Sequence, residues 1–325
     1  MVMKKILRDL FRIEKNPRKN LFAMEWVIMI YLLFTSGMIL LDYAHLDNPQ
    51  AMITYRVQVI AITAALYLVY RLIPCRFTRV VRVVVQLSLL TWWYPDTYEL
   101  NKLFPNLDHV FAQWEQSLFG CQPALLFSQA VTNPIVTELL DLGYASYYPL
   151  IALVCFYYFF CRYQEFQRCA FIVTASFFLY YVIFIFVPVA GPTFYYQAVG
   201  VDEIAKGIFP NLHDYFRYHN ECMPTPGYTD GIFYHLVEGA KAAGERPTAA
   251  FPSSHVGITV VLLLLAWHSG SRKLFYFVIP LFILMFFATV YIQAHYAIDT
   301  IAGLITGILF YYLFFFVSGK MIDRG

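Results

Sequence analysis

Long apolar runs alternate with shorter polar segments along most of the chain. A helix that crosses a bilayer needs about 20 mostly apolar residues. Eight runs approach that length, near residues 22–41, 55–73, 80–94, 142–162, 170–190, 255–268, 274–292 and 297–317. The pattern predicts an all-α, polytopic membrane helix bundle with about eight transmembrane helices.

The run at 80–94 is the weakest of the eight, because only Val83–Tyr94 is free of charge. If it crosses, Arg82 must extend along its aliphatic stem to reach the interface. The aromatics Trp92–Tyr94 would then lie at the opposite interface. Whether 80–94 crosses fully stays open at this point.

Basic residues fall on one side of the predicted bundle. Cytoplasmic loops are enriched in Lys and Arg. Eight crossings put 17 of the 23 Lys and Arg on one face, namely Lys4, Lys5, Arg8, Arg12, Lys15, Arg18, Lys19, Arg71, Arg76, Arg79, Arg82, Arg162, Arg168, Arg272, Lys273, Lys320 and Arg324. We therefore expect both termini to be cytoplasmic.

Composition supports a membrane protein. The 325 residues are 60% hydrophobic and 14% charged, against about 25% charged in a soluble domain. The mean hydropathy is +0.57. A net charge of +2 is too small to indicate a nucleic-acid partner.

Two polar stretches are longer than simple connections. In 95–141, apolar residues recur at three- and four-residue steps from Leu103 to Leu118, which predicts a helix on the membrane surface or one packed on its neighbours. Asn133-Pro134 is typical of a helix start. The second stretch, 191–254, is long enough to indicate a functional role. One cysteine lies in each, Cys121 and Cys222, so a disulfide or two free thiols are both open.

Two short strings carry candidate chemistry. Phe251-Pro252-Ser253-Ser254-His255 precedes one apolar run and predicts a helix that begins with a hydroxyl cap. Such a helix start favours an anion. The second string, His295-Tyr296-Ala297-Ile298-Asp299, follows after an apolar hairpin that crosses and returns. Both histidines are therefore expected at the same membrane face, opposite the basic one.

The spacing of the second string suggests a division of roles. His295 and Asp299 are four residues apart and share one helix face. A carboxylate that holds one imidazole nitrogen leaves the other free to act. We expect His295 to attack phosphorus and form phosphohistidine. His255 would protonate the departing oxygen and then deprotonate the incoming hydroxyl.

Two other interpretations of these residues stay open. An interfacial histidine commonly serves packing or hydrogen bonding alone. His and Asp at this spacing can also share a metal ion, with His219 and His235 as further candidate ligands.

The same strings resemble the type 2 phosphatidic acid phosphatase superfamily, and most of all its inositol phosphorylceramide synthase branch. The resemblance covers about residues 105–315. Ala250–His255 with Gly257, and His295-Tyr296 with Asp299 and Ala302-Gly303, match well, whereas Leu118-Phe119-Gly120, Tyr144–Pro149 and Pro188–Pro192 match loosely. It implies a six-helix core and a phosphohistidine mechanism without metal or other cofactor. It also implies catalytic roles for His255, His295 and Asp299.

Two departures from the phosphatase pattern are informative. The phosphatases carry an Arg six residues before the second histidine, where this chain has Thr289. Their upstream Lys-x6-Arg-Pro string has only a shortened counterpart, Lys241–Pro247. A phosphate dianion favours several cationic donors, and a phosphodiester needs fewer. Arg246, Ser253 and Ser254 are the candidate substrate-binding residues, with a solvated loop charge as the alternative for Arg246.

The leading hypothesis is therefore a sphingolipid-type phosphotransferase. It would move a phosphoinositol-type headgroup from a phosphatidylinositol-like donor to a ceramide-like acceptor. The alternatives are a lipid phosphate phosphatase and a non-catalytic lipid-binding or transport protein. We expect a bacterial inner membrane or a Golgi-type membrane, with the histidines exoplasmic.

This hypothesis divides the chain into segments. They are a basic cytoplasmic N-terminus (1–20), N-terminal transmembrane helices (21–94), an exoplasmic amphipathic segment (95–141), a catalytic transmembrane core (142–317) with an exoplasmic loop (191–254), and a cytoplasmic tail (318–325).

Overall fold

A computed structural model describes residues 8–322, and these residues form helices and no strands. The all-α prediction is confirmed. The α-helices are α1 Ala23–Leu41, α2 Pro49–Leu72, α3 Arg76–Ser88, α4 Leu90–Asn101, α5 Asp108–Phe119, α6 Pro123–Ala130, α7 Pro134–Ala145, α8 Tyr147–Cys161, α9 Phe166–Phe186, α10 Pro192–Val199, α11 Val201–Ala205, α12 Ile232–Gly244, α13 Ser254–His268, α14 Arg272–Tyr291 and α15 Ala297–Ile322. Of the predicted basic termini, Lys4, Lys5, Arg324 and the side chain of Lys320 lie outside the described residues.

Five helices of this part of the chain are long and apolar enough to cross a membrane. They are α1, α2, α9 with its preceding turn, α14 and α15. The pair α7–α8 adds a sixth if its 50° bend lies within one span. Helix α13 is apolar but only 15 residues long. The chain is thus a multi-pass membrane protein, and eight crossings remain a prediction.

The segment 80–94 is divided between α3 and α4 instead of forming one continuous span. A fully crossing run would require Arg82 to reach the interface, whereas its side chain is fully buried in the protein. Its guanidinium binds the Glu25 carboxylate of α1 through two nitrogens and lies 3.9 Å from the Phe22 ring centroid. A buried charge is tolerated when it is paired in this way.

A second buried ion pair joins the other two N-terminal helices, α2 and α4. Arg56 of α2 donates to both Asp96 oxygens of α4, at 2.9 and 2.8 Å. Helix α4 is held on the core helix α9 by the Tyr181 hydroxyl, which donates to Leu90 O at 2.9 Å. The N-terminal helices are therefore fixed against the core and not merely tethered to it.

The core helices α13 and α15 approach each other at glycine. A Cβ on Gly303 would lie 2.5 Å from Ser253 O, which is too close for any side chain. Small residues allow such close approach of membrane helices. This contact brings the start of α13 against the first turns of α15.

The two long polar stretches contain helices of their own. Helix α5 realises part of the predicted amphipathic pattern, with Trp114 and Leu118 exposed and Phe111 buried. The helix start at Asn133 is confirmed, because its side chain accepts from Ile135 N at 3.0 Å. The stretch 191–254 contains α10, α11 and α12.

Candidate active site

The two candidate histidines lie side by side at one end of the helix bundle. Helix α13 leads away from His255, and α14 returns to the loop that carries His295. The His295 Nε2 and His255 Nδ1 atoms are 3.4 Å apart. Their predicted juxtaposition is confirmed.

The start of α13 has the predicted hydroxyl cap. The Ser253 side chain accepts from Val256 N at 3.3 Å. The Ser253 backbone N–H donates to Asp299 O at 3.0 Å and so ties α13 to α15. Ser254 is half-buried in the first turn of α13, where backbone N–H groups have no partner within the helix. These groups are therefore available to an anion.

A backbone carbonyl orients the His295 ring. His295 Nδ1 donates to Ala250 O at 2.7 Å. Because Nδ1 carries the proton in this hydrogen bond, Nε2 has a free lone pair and faces His255. Burial lowers the pKa of His295 to about 4, although the Ala250 hydrogen bond opposes the shift. The ring is therefore neutral at physiological pH.

Asp299 contributes less directly than its spacing predicts. Its Oδ2 lies 3.9 Å from His295 Nδ1, which is within ion-pair range but beyond a hydrogen bond. Oδ2 instead accepts from Tyr296 N at 2.8 Å. An acidic residue in the third helical position commonly reaches back to the preceding backbone N–H in this way. The expected direct imidazole–carboxylate hydrogen bond is replaced by the one to Ala250.

Aromatic residues form one wall of the site. The His255 ring packs on Tyr144, with centroids 4.6 Å apart and near-parallel planes. It also contacts Tyr147 at 4.4 Å. Both tyrosines belong to the loosely matching string Tyr144–Pro149, to which the sequence assigned no role. Their position at the α7–α8 bend became visible only in the structure.

Asp108 is a buried positioning residue that the sequence analysis missed. Its carboxylate accepts from Ala190 N at 2.6 Å, Gly191 N at 2.8 Å and the Tyr296 hydroxyl at 3.1 Å. It thereby joins α5, the Gly191 loop and the residue next to His295. Burial raises its pKa to about 6 despite these hydrogen bonds. No motif marked it, since a lone aspartate at a helix start is common.

Glu115, about two turns further along the same face of α5, was missed for the same reason. It is fully buried and accepts from Ala297 N at 3.2 Å, at the start of α15. Burial raises its pKa to about 7. The first turn of α15 is therefore held by two acidic residues, Glu115 from α5 and its own Asp299.

Cationic groups near the site differ in their availability. Thr289, where the phosphatases carry Arg, is fully buried and hydrogen-bonds to the Thr300 hydroxyl at 3.0 Å. Lys241 Nζ donates to Met223 O at 2.8 Å and lies 3.3 Å from Glu238 Oε1. Arg246 is half-buried and donates to Glu245 O at 3.3 Å. No contact between Arg246 and either candidate histidine is found in the described part of the chain.

The remaining predicted ligands and thiols take no part in this site. Within residues 8–322, no three His, Cys, Asp or Glu side chains are grouped as a metal site. His219 stacks on Tyr215 with centroids 4.1 Å apart, and His235 contacts Tyr234. Cys121 and Cys222 are free thiols.

The fold and the site together define a multi-pass helical membrane protein with a pair of adjacent histidines at one end of its bundle. Comparison with protein-family models identifies the class more closely, since the PAP2 superfamily model matches residues 109–313. The chain belongs to the PAP2 superfamily. Searches of curated proteins and of solved structures gave no match. Superfamily membership indicates a lipid phosphatase or phosphotransferase.

Proposed function

We propose that the protein is an integral-membrane lipid phosphotransferase. It moves a phosphoinositol-type headgroup from a phosphatidylinositol-like donor to the hydroxyl of a ceramide-like acceptor. The observation that carries this choice is Thr289, which fills the place of the phosphatase arginine with a buried, internally hydrogen-bonded hydroxyl. A singly charged phosphodiester requires fewer cations than a monoester dianion.

The orientation of the two rings supports the following reaction. His295 Nε2 attacks phosphorus, the N–P bond forms, and the P–O bond to diacylglycerol breaks. The departing oxygen takes a proton from His255 in its imidazolium form, and His255 becomes neutral. The acceptor hydroxyl then attacks phosphorus and returns a proton to His255, and the N–P bond breaks. His255 thus ends each cycle as it began, as acid and base roles require.

The phosphate has a defined place in this proposal. The free N–H groups of Ser254 and His255, at the positive end of α13, favour its anionic oxygens. Because His295 Nε2 and His255 Nδ1 are only 3.4 Å apart, the phosphoryl group must separate these two nitrogens when it binds. His255 is half-buried whereas His295 is buried, so His255 is the ring that the protein encloses less.

The state of Lys241 agrees with a diester substrate. Its ammonium group is bound to Met223 O, Thr225 Oγ1 and Glu238, all within its own segment. Three donors on one ammonium group are thereby occupied. A second cation for a dianion would have to be taken from these partners.

Arg246 favours a second candidate, a lipid phosphate phosphatase. Within the described residues it forms no ion pair, and it lies in the segment that leads to Ala250 and His255. A guanidinium available in this way could bind a monoester. Phosphatase activity is therefore the alternative function.

The two functions differ in their products. Purified protein in detergent is supplied with headgroup-labelled phosphatidylinositol and ceramide, and separately with labelled phosphatidic acid. The transferase forms a labelled sphingolipid together with diacylglycerol. Release of phosphate from phosphatidic acid as the sole activity would reject the transferase. His295→Asn is the inactive control for both assays.

A further inference from the structure

A cavity of about 420 Å³ lies between the N-terminal helices and the core. Helices α3 and α4 form one wall, and α8 and α9 form the other. Cavities of roughly 300–1,000 Å³ are typical of small-ligand sites. This volume lies outside the histidine pair, and no step proposed above uses it.

Three of the four hydroxyl groups in the lining, all except that of Tyr148, are already bonded to backbone carbonyls. Ser88 Oγ donates to Val84 O at 2.9 Å, and Thr91 Oγ1 donates to Ser88 O at 2.8 Å. The Tyr181 hydroxyl donates to Leu90 O. Most of the other lining side chains are aliphatic or aromatic. Such a cavity suits a hydrocarbon chain and not a polar headgroup.

The cavity ends one aromatic ring away from His255. Phe177 lines the cavity, and its ring centroid is 6.2 Å from that of Tyr147. Tyr147 in turn contacts the His255 ring at 4.4 Å, and its neighbour Tyr148 lines the cavity. A chain that fills the cavity would therefore end beside the group that serves the leaving or attacking oxygen.

The lining of the cavity is longer than the hydrocarbon of one leaflet is thick. Its lining extends along α9 from Phe166 to Tyr181, which is about 22 Å at 1.5 Å per residue. The hydrocarbon core of a bilayer is about 30 Å thick, so one leaflet provides about 15 Å. A single aliphatic chain from the histidine end can thus lie along the cavity.

One wall lies outside the family-matched region. The lining residues of α3 and α4 fall between Val80 and Thr91, whereas the family match begins at residue 109. We propose that this cavity binds one aliphatic chain of the lipid substrate, on the alcohol side of the reacting phosphate. It would set which chain lengths the enzyme accepts. The inference rests on the proposed function and holds for either a transferase or a phosphatase.

The test combines substitutions that fill the cavity with lipid substrates of different acyl-chain length. Ala152→Phe places a ring in the cavity from α8, and Val84→Phe does so from the opposite wall. Leu153→Phe is the matched control, because Leu153 follows Ala152 on the same helix and is exposed like it, but does not line the cavity. For a long-chain lipid, the filled variants should raise KM at least tenfold, with kcat preserved. For a short-chain lipid of the same headgroup, KM should be unchanged.

Equal effects on long and short chains, or no effect from either filled variant, would overturn the inference. A binding readout separates it from the proposed function. A phospholipid with a diazirine at the end of its acyl chain should label the lining segments of α3, α4 and α8, and Ala152→Phe should abolish that label. Labelling spread evenly over lipid-facing positions such as Leu153 would contradict specific binding of the acyl chain in the cavity. Wild-type protein that labels correctly but turns over no lipid would reject the proposed function alone.

Discussion

The carbonyl of Ala250 accepts a hydrogen bond from His295 Nδ1 at 2.7 Å. This contact joins the segment before α13 to the loop before α15. It decides which ring nitrogen of His295 is available for chemistry. A backbone group cannot be removed by substitution, so its contribution is best measured by what remains when other contacts are lost.

Asp299→Asn tests whether the carboxylate or Ala250 sets the His295 tautomer. We expect kcat to fall by only about 10- to 100-fold, the usual cost of a supporting contact. The shape of the pH–rate profile should be retained, because the Ala250 hydrogen bond is unchanged.

A loss of about 10⁴-fold would show the contrary. That is the magnitude found in a protease triad when the aspartate that fixes the histidine tautomer is replaced by Asn. Steady-state turnover with the headgroup-labelled donor, measured from pH 5 to pH 8, distinguishes the two results.

Substitutions of the histidines should separate their roles. His295→Ala should abolish turnover and leave no labelled protein, because no nitrogen remains to bond phosphorus. His255→Ala should slow the first step by about 10²- to 10⁴-fold, the usual contribution of general acid–base catalysis. A single-turnover assay with labelled donor, quenched in base to preserve phosphohistidine, measures both. Equal labelling of wild type and His295→Ala would contradict the assignment.

Asp108→Asn should loosen the loop beneath the site. The amide retains only one acceptor oxygen. The three donors Ala190 N, Gly191 N and the Tyr296 hydroxyl are shared between two carboxylate oxygens in the wild type, so at least one of them loses its acceptor. We expect a loss of about 2–3 kcal/mol, since each unsatisfied buried donor costs about 1–3 kcal/mol. The melting temperature in detergent should fall together with activity. Asp202→Asn, an exposed position on α11, should leave both unchanged.

Gly303→Ala tests the close contact of α13 with α15. The new methyl group would meet Ser253 O at 2.5 Å, and overpacking of this kind costs about 1–3 kcal/mol. Because Ser253 is the cap before His255, we expect this substitution to lower activity as well as the free energy of unfolding. Gly239→Ala is the control, as nothing lies within 4 Å of its Cβ position in α12. It should be neutral or slightly stabilising. Equal activity in the two variants would argue against this role for Gly303.

Glu115 should make stability depend on pH. Its pKa is raised from 4.5 to about 7 by burial, so the folded state keeps a proton that the unfolded state loses. Stability should therefore fall as pH rises from about 4.5 to 7, by roughly 3 kcal/mol, and level off above that. Glu115→Gln should remove this component. Melting temperatures at pH 5 and pH 8 measure it, and identical slopes in the two proteins would contradict the prediction.

The sequence predicted the candidate histidines of the site, but not the surrounding residues that hold them in place. The apolar hairpin between His255 and His295 required the chain to cross and return, so both residues had to lie at one end. The Ser253 cap and the Asn133 helix start were predicted because capping depends on a few neighbouring residues. These inferences are local, or follow from the thickness of the bilayer.

The third apolar run was interpreted less well. Arg82 was expected to reach the interface if this run crosses, and its pairing with Glu25 was not predicted because Glu25 lies 57 residues away. Glu25 itself carried no signal beyond its place at a helix start. Buried ion pairs between distant helices depend on how the helices pack, which periodicity does not specify.

The sequence by itself determined an all-helical membrane protein with two histidines at one end, since hydrophobic length and local capping fix those features. Only the tertiary structure decided that Ala250 orients His295, that Asp108 and Glu115 support the site, and that a cavity lies beside Tyr147. Each of these depends on contacts between segments far apart in the chain. Such contacts are set by the packing of whole helices, and no short sequence pattern specifies them.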